Sequence, residues 1–298
     1  MDTNHKYIVY IAAVIYAFIV GLSFLFVKLA LTISDPFDTL AHRFTVAFLA
    51  IMIPVLLGKI PLNFTLKDII QILPLALFYP AMFFWFQVSG LVYTTSSEAG
   101  IIQASTPLFT MFLAYYYLKE KTNLFQSISL GLSVLGVIYI LVMKGTSFET
   151  NQLLGTSLLL LSSLSFAGYS VLARPLAKKF KPLELTFIML TIAFLTFNIL
   201  SLIRHGMNGT MDHYFDPLTN KVFLISILYL GVLSSLVTSW LSNYILSKIE
   251  ASKMSVFGNL ATFISMIAGV AFLQEHLEYY HIIGAIMIIA GILGTNLL

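Results

Sequence analysis

The sequence predicts an all-α integral membrane protein, with ten transmembrane helices arranged as two inverted-topology five-helix repeats. Three observations predict it. Hydrophobic residues make up 59% of the 298 and charged residues only 10%, whereas a soluble domain carries about a quarter charged residues to clothe its surface. The apolar residues fall into ten runs, each close to the roughly 20 residues that cross a bilayer. The second half also echoes the first at fixed offsets. The composition excludes a soluble enzyme and a nucleic-acid binder, and a net charge of +3 is too small to argue otherwise. With no cysteine, disulfides, thiolate catalysis and thiol-ligated metals are excluded as well.

The runs of the first half are 7–31, interrupted by Lys28, then 36–57, which contains Arg43, then 69–92, 99–118 and 124–143, each without charge. The second half offers 153–173, 185–203, 222–246, 254–273 and 281–298. The first run is longer than the apolar core of a signal peptide and lacks a small-residue cleavage pattern, so it reads as a permanent helix. The runs are too long and uniform for barrel strands, which alternate over about 10 residues. The longest connector, Arg204 to Lys221, holds Gly206, Gly209 and Pro217 and reads as a loop.

Basic residues orient the chain. With the N-terminus inside, eleven face inward: Lys6, Lys59, Lys67, Lys119, Lys121, Arg174, Lys178, Lys179, Lys181, Lys248 and Lys253. Three face outward, Lys144, Arg204 and Lys221. Both termini are therefore expected in the cytoplasm.

A shift of 155 residues lays Trp85 on Trp240, the only two tryptophans, and Leu118 on Leu273, Glu120 on Glu275 and Gly136 on Gly291. A shift of 146 lays Lys28 on Arg174, Pro36 on Pro182 and Asp38 on Glu184. Residues 1–146 and 147–298 are thus expected to be two copies of one unit. Each copy has an odd number of spans, so the copies lie in opposite orientations, an arrangement that supports alternating access around a midplane site.

The stretches Phe24 to Leu31, Pro36 to Phe44 and Glu98 to Phe109, the corner Leu118-Lys119-Glu120, the corner Leu273-Gln274-Glu275 and the run Gly284 to Gly291 together resemble the EamA-type family of the drug/metabolite transporter superfamily. The resemblance covers nearly the whole chain. It implies a ten-helix carrier with a central cavity for small organic solutes such as amino acids, other metabolites or drugs, often exported, in a bacterial cytoplasmic membrane. The second half departs from the first: Thr262 stands opposite Pro107, Ser235 opposite Pro80 and Met189 opposite Arg43.

Arg43 lies about 10 Å below the outer surface at 1.5 Å per residue. A charge inside a span is a functional candidate, here for a solute carboxylate or a gate ion pair. Snorkelling to headgroups is the alternative. Glu98 is its candidate partner, or a helix N-terminal acid that favours the dipole. His42 and Glu98 are the titratable groups available near the outer side for proton coupling, although His42 also reads as a polar interface residue. Lys28 is a gating candidate or a headgroup cation. Trp85 and Trp240 lie about 6–8 Å from their helix centres, too deep for an interfacial belt near 15 Å. They read as an aromatic wall of the cavity or as core packing. Gln87, Ser239, Asn243, Tyr79 and Gln103 supply neutral hydrogen-bonding groups at similar depth, either for a solute or as interhelical glue.

Gly131 with Gly136, and Ala285 with Gly291 and Gly294, permit close packing, so the fifth and tenth spans read as scaffold or homodimer-contact helices. No phosphate loop, zinc pair or carboxylate cluster is present, so no cofactor or metal is expected and the energy must come from a gradient. The expected partners are a small organic solute and the lipid bilayer, not nucleic acid. A membrane-embedded enzyme, a lipid-processing protein and a pore remain alternatives to the carrier.

Overall fold

A computed structural model describes residues 3–58, 64–118, 124–143, 150–255 and 257–297. Lys59, Lys119, Glu120, Lys121 and Lys144, which enter the charge count and the repeat match, lie outside these residues, as do the side chains of Lys6 and Lys253. All regular structure among the described residues is helical. In chain order it comprises α1 (Thr3–Leu31), α2 (Pro36–Leu56), α3 (Leu66–Ala76), a π-helical stretch (Leu77–Met82), α4 (Phe83–Leu91), α5 (Ser96–Gln103), α6 (Thr106–Leu118) and α7 (Leu124–Met143). There follow α8 (Thr150–Lys179), α9 (Pro182–Asn208), α10 (Lys221–Leu228), a second π-helical stretch (Tyr229–Val237), α11 (Thr238–Lys248), α12 (Ala251–Ser255), α13 (Phe257–Leu273) and α14 (Tyr279–Leu297).

Six helical stretches are long and apolar enough to cross a membrane: Tyr7–Leu31, Pro36–Leu56, Leu66–Leu91, Asn151–Lys179, Pro182–Asn208 and Lys221–Lys248. Phe257–Leu273 and Tyr279–Gly291 are shorter apolar helices. In α1, Ile8, Ile11, Ile15 and Phe18 are exposed while Val9, Ala12, Ala13 and Tyr16 are buried. A helix apolar on both faces suits an apolar surround outside as well as inside.

Local chemistry sets the helix boundaries. Asp35 caps α2 by accepting from the amides of Phe37 at 2.8 Å and Asp38 at 3.4 Å, and Pro36 at the first turn needs no partner. Thr65 with Asp68 and Thr95 with Glu98 form reciprocal capping boxes on α3 and α5. The Asn220 side chain caps α10, and α9 ends where Gly209 takes a left-handed φ of 66°.

The sequence boundaries need four corrections. The run 153–173 extends to Thr150–Lys179, and 185–203 extends to Pro182–Asn208. The run 99–118 is not one helix, because the chain turns at Ala104 and Ser105. Pro107 has no amide to donate, and its ring would collide with the carbonyl four residues back, so a continuous helix through Gln103 is blocked. The run 254–273 starts earlier, at α12.

At one end of the bundle, called here the near end, lie the α1–α2 turn, the α4–α5 turn and the α9–α10 and α13–α14 connectors. Arg204 pairs there with Asp35, and Glu275 binds the start of α5. At the opposite end, Lys179 bridges α8 to α3 through Asp68 at 3.6 Å and Gln71 at 2.7 Å.

The helices α7 and α14 pack chiefly on each other among the described residues, crossing at Gly136 and Gly284. A methyl group on Gly136 would lie 2.8 Å from the Gly284 carbonyl oxygen and 2.9 Å from Ile288 Cγ1, so the helices would have to part. Gly136→Ala should therefore lower the melting temperature in detergent, with an overpacking cost of about 1–3 kcal/mol. Gly131→Ala meets nothing within 4 Å and should be neutral or stabilising.

Candidate functional site

Mid-bundle, α1, α4, the α5–α6 junction, α8 and α12–α13 surround a narrow cavity. Its wall is mostly apolar and aromatic, from Tyr16, Val20, Phe24, Phe83 and Phe166. The polar groups are Gln87 from α4, Gln103 and Thr106 at the break between α5 and α6, and Thr262 from α13. Gln103 is held in place: its amide nitrogen donates to Ser162 Oγ at 2.9 Å, and its oxygen accepts from Ser163 Oγ at 3.0 Å and Thr106 Oγ1 at 3.2 Å. Gln87 is only 2% exposed, and its oxygen has no partner among the described residues. A buried amide oxygen left bare is costly unless something else fills the place. The arrangement fits a solute with an apolar body and a hydrogen-bond donor, which is the usual chemistry of a small-molecule pocket.

Of the residues singled out from sequence, only Gln87 and Gln103 line this cavity. Trp240 is 42% exposed on the outer face of α11 and does not line it. Depth along a helix fixes the height of a residue and not the direction in which its ring points. Trp85 is half-buried and packs on Phe37 with ring centroids 4.5 Å apart, away from the cavity wall. Tyr79, Ser239 and Asn243 join a buried network instead. Ser239 Oγ donates to Tyr79 Oη at 3.2 Å, Tyr169 donates to Asn243 Oδ1 at 2.9 Å, and Asn243 Nδ2 donates to Thr186 Oγ1 at 3.0 Å.

Arg43 is fully buried, so it does not snorkel. Its Nε donates to Ser235 Oγ at 2.8 Å and its Nη2 to Ser234 Oγ at 2.9 Å, both on the second π-helical stretch. The guanidinium sits 3.9 Å over the Phe84 ring, and Nη1 has no hydrogen-bond partner among the described residues. Hydroxyls and an aromatic face thus take the place of a counter-ion. Gly231 is required here, because a methyl group would strike Val46 at 2.7 Å and the Arg43 carbonyl at 2.8 Å.

At the near end, Lys28 is no headgroup cation. Its Nζ donates to the carbonyls of Leu91 at 2.8 Å and Thr94 at 2.6 Å, closing the C-terminus of α4. Glu275 closes the N-terminus of α5 by accepting from the Ser96 amide at 2.7 Å, the Ser97 amide at 2.9 Å and Ser97 Oγ at 2.6 Å. Gln274, at φ 55°, turns the chain that delivers it. Glu98 faces His281 at 3.4 Å while serving its capping box.

A second, polar cavity of about 1050 Å³, open solvent included, lies at the near end between the α1–α2 turn, α9 and the α9–α10 connector. Asp35 and Arg204 form an ion pair at its rim. Burial alone would raise the Asp35 carboxyl, but hydrogen bonds from Arg204 and from the Phe37 and Asp38 amides outweigh it and hold the carboxyl below its ordinary range. Deeper, Asp38 accepts from Ser201 Oγ at 2.5 Å and meets His205 Nε2 at 2.9 Å. His42 Nε2 lies 2.9 Å from the Tyr214 carbonyl. Burial, then nearby Asp38, push the Tyr214 hydroxyl above its ordinary value.

In the sequence Asp38 stands out only as a repeat match, and His205 falls in the connector Arg204 to Lys221. Ending the seventh run at Ile203 hid that His205 is one helical turn beyond Ser201, on the face turned to α2.

Ser235→Ala removes one partner of a buried charge and should destabilise the protein by about 1.5–3 kcal/mol. Adding Arg43→Met should recover part of that loss, a coupling of about 0.5–3 kcal/mol in a thermal-unfolding cycle. Additive single effects would show that the contact carries no energy.

Comparison with known proteins accords with this architecture. The EamA-like transporter family matches residues 7–142 and again 153–297. The uncharacterized transporter YcxC of Bacillus subtilis (strain 168) is 54% identical over 288 residues, covering 97% of this chain and 92% of that protein. An uncharacterized transporter of Archaeoglobus fulgidus is 25% identical over 273 residues, covering 91% and 92%. One solved crystal structure superposes with a TM-score of 0.66 at 17% identity, covering 96% of this chain and 98% of its own, a likeness of fold. The chain therefore belongs to the EamA-like transporter family and is a multi-pass membrane protein.

Proposed function

We propose that this transporter is a secondary-active or facilitative carrier of small organic solutes, working by alternating access around the central cavity. The observation that carries the reading is the cavity itself. It lies mid-bundle, and both family-matched segments line it, α1, α4 and the α5–α6 junction from the first and α8 and α12–α13 from the second. On this reading residues 1–146 and 147–298 are inverted five-helix repeats, ten spans in all. The paired π-helical stretches support it: the 155-residue offset lays Leu77–Met82 on 232–237, inside Tyr229–Val237. A helix that leaves regular α geometry at the same place in both halves, with a kink at Tyr79 in the first, is where solute-accessible backbone and bending are expected in such carriers.

The near end then faces outward and both termini lie in the cytoplasm of a bacterial cell, as the basic residues favour. The solute is a metabolite, amino acid or drug with an apolar body, and export is the favoured direction. The near end is closed here by Lys28, Glu275 and the Glu98 cap, which clamp the α4–α5 turn from both sides.

A metabolite library screened by thermal shift of the purified protein should yield a binder, since a ligand of the native state raises its stability. Gln87→Leu should weaken that binder about tenfold, the worth of one hydrogen bond near 1.4 kcal/mol. It should leave the melting temperature of the empty protein unchanged or higher. Binding unaffected by Gln87→Leu would move the site elsewhere. In proteoliposomes the same solute should show saturable flux and counter-exchange. Unsaturable flux without exchange would mark a pore.

A further inference from the structure

The imidazole of His205 has too many acceptors for a neutral ring. Its Nδ1 lies 2.8 Å from the Thr210 carbonyl oxygen, which can only accept, so Nδ1 carries a proton. Its Nε2 lies 2.9 Å and 3.0 Å from the two oxygens of Asp38. A neutral imidazole has one N–H. With that proton spent on Thr210, Nε2 and the carboxylate would present lone pairs to each other, unless one more proton sits between them. Both groups are largely shielded from water, Asp38 being 4% and His205 7% exposed. Thr210 Oγ1, 2.7 Å from Nδ1, could donate to that nitrogen, but the carbonyl contact on the same atom would then be acceptor against acceptor.

The other imidazoles nearby differ. His42 meets a single acceptor, the Tyr214 carbonyl, and needs only one N–H. His213 faces Asp216 at 2.7 Å on the exposed rim, where its other nitrogen is open to solvent.

We propose that Asp38 and His205 form a proton-binding site whose bound proton fastens α2 to α9 and makes the proton the coupling ion of this carrier. The proposal rests on the carrier reading above. Asp38 belongs to the first family-matched segment and His205 to the second, so the bond spans the halves that must move. The charged and titratable groups around the pair are Asp35 on the α1–α2 turn, His42 on α2, Arg204 on α9 and His213, Tyr214 and Asp216 on the connector. Asp35 is occupied by Arg204 and Asp216 by His213. Asp38 is thus the carboxylate facing His205, with Ser201 as its further donor. The polar cavity that both residues line is the route by which the proton leaves to water. Its departure leaves Nε2 and the carboxylate repelling, so acid holds α2 and α9 together and alkali lets them part.

The chain has no cysteine, so labels can be placed at will. Spin labels at Thr32→Cys and Met207→Cys, both at exposed near-end positions, read the separation of the two halves in lipid nanodiscs without any solute. Between pH 5.5 and 8.5 the ratio of short to long distances should fall by about 5–150-fold, the range of ordinary coupling. His205→Gln and Asp38→Asn, made separately, should each abolish the pH response. His205→Gln retains a donor to Asp38, so it keeps the test open if Asp38→Asn fails to fold. A distance distribution constant with pH in the unmutated pair, or a response surviving in His205→Gln, would overturn the proposal. The carrier reading is judged apart. Ala261→Cys on the central cavity is probed with an impermeant maleimide from either membrane face, and access from one face under every condition would count against alternating access, whatever the distances show.

Discussion

A polar group in an apolar surround must find its partner inside the protein, because no water is there to supply one. This chain meets that demand wherever a helix stops or bends. The α4–α5 turn is the clearest case. Its open carbonyls are taken by Lys28 and its open amides by Glu275, one from α1 and one from the α13–α14 connector. The break at Ala104 and Ser105 is supported by Ser105 Oγ on the Ile102 carbonyl at 2.6 Å, and by the hydroxyls that grip Gln103. The cavity lies beside such interruptions because a continuous helix leaves no polar groups over to face a solute.

The same demand makes α2 the seam of the molecule. Four of its side chains cross to the second family-matched segment: Asp38 and Thr45 to α9, His42 to the connector and Arg43 to the π-helical stretch. Apolar packing adds to these contacts, as in Phe44 stacked on Phe197 with centroids 5.1 Å apart. Packing alone would allow the halves to slide. Hydrogen bonds to a buried charge define one register, and a different register must supply replacements or expose the charge.

Much of the fold was legible because hydrophobic runs and helix length measure the same thing. Residues 124–143 are helical throughout, as read from sequence, and the boundaries of α1 and α2 differ from that reading by a few residues. What could not be read was direction around a helix axis in a chain that is apolar on every face. Trp85 and Trp240 pair in the sequence and sit at comparable depth, yet one packs on Phe37 and the other is exposed. Gln87 and Gln103 were legible as amide side chains deep in runs that hold no charge. Asp38 and His205 were not, because each stands near a helix end, where a polar residue has an ordinary local explanation, and they are joined only by the tertiary fold.

The crossing of α7 and α14 at Gly136 and Gly284 has a consequence for biosynthesis. The main described partner of α7 is the last helix of the chain, made on the order of 150 residues later, a wait of roughly 8–30 s at ordinary rates of synthesis. During that interval a glycine-notched surface on α7 stands open to lipid and to neighbouring chains. Assembly of the first half is therefore finished only by the last helix of the second, and truncation near the C-terminus should harm a region far upstream in the sequence.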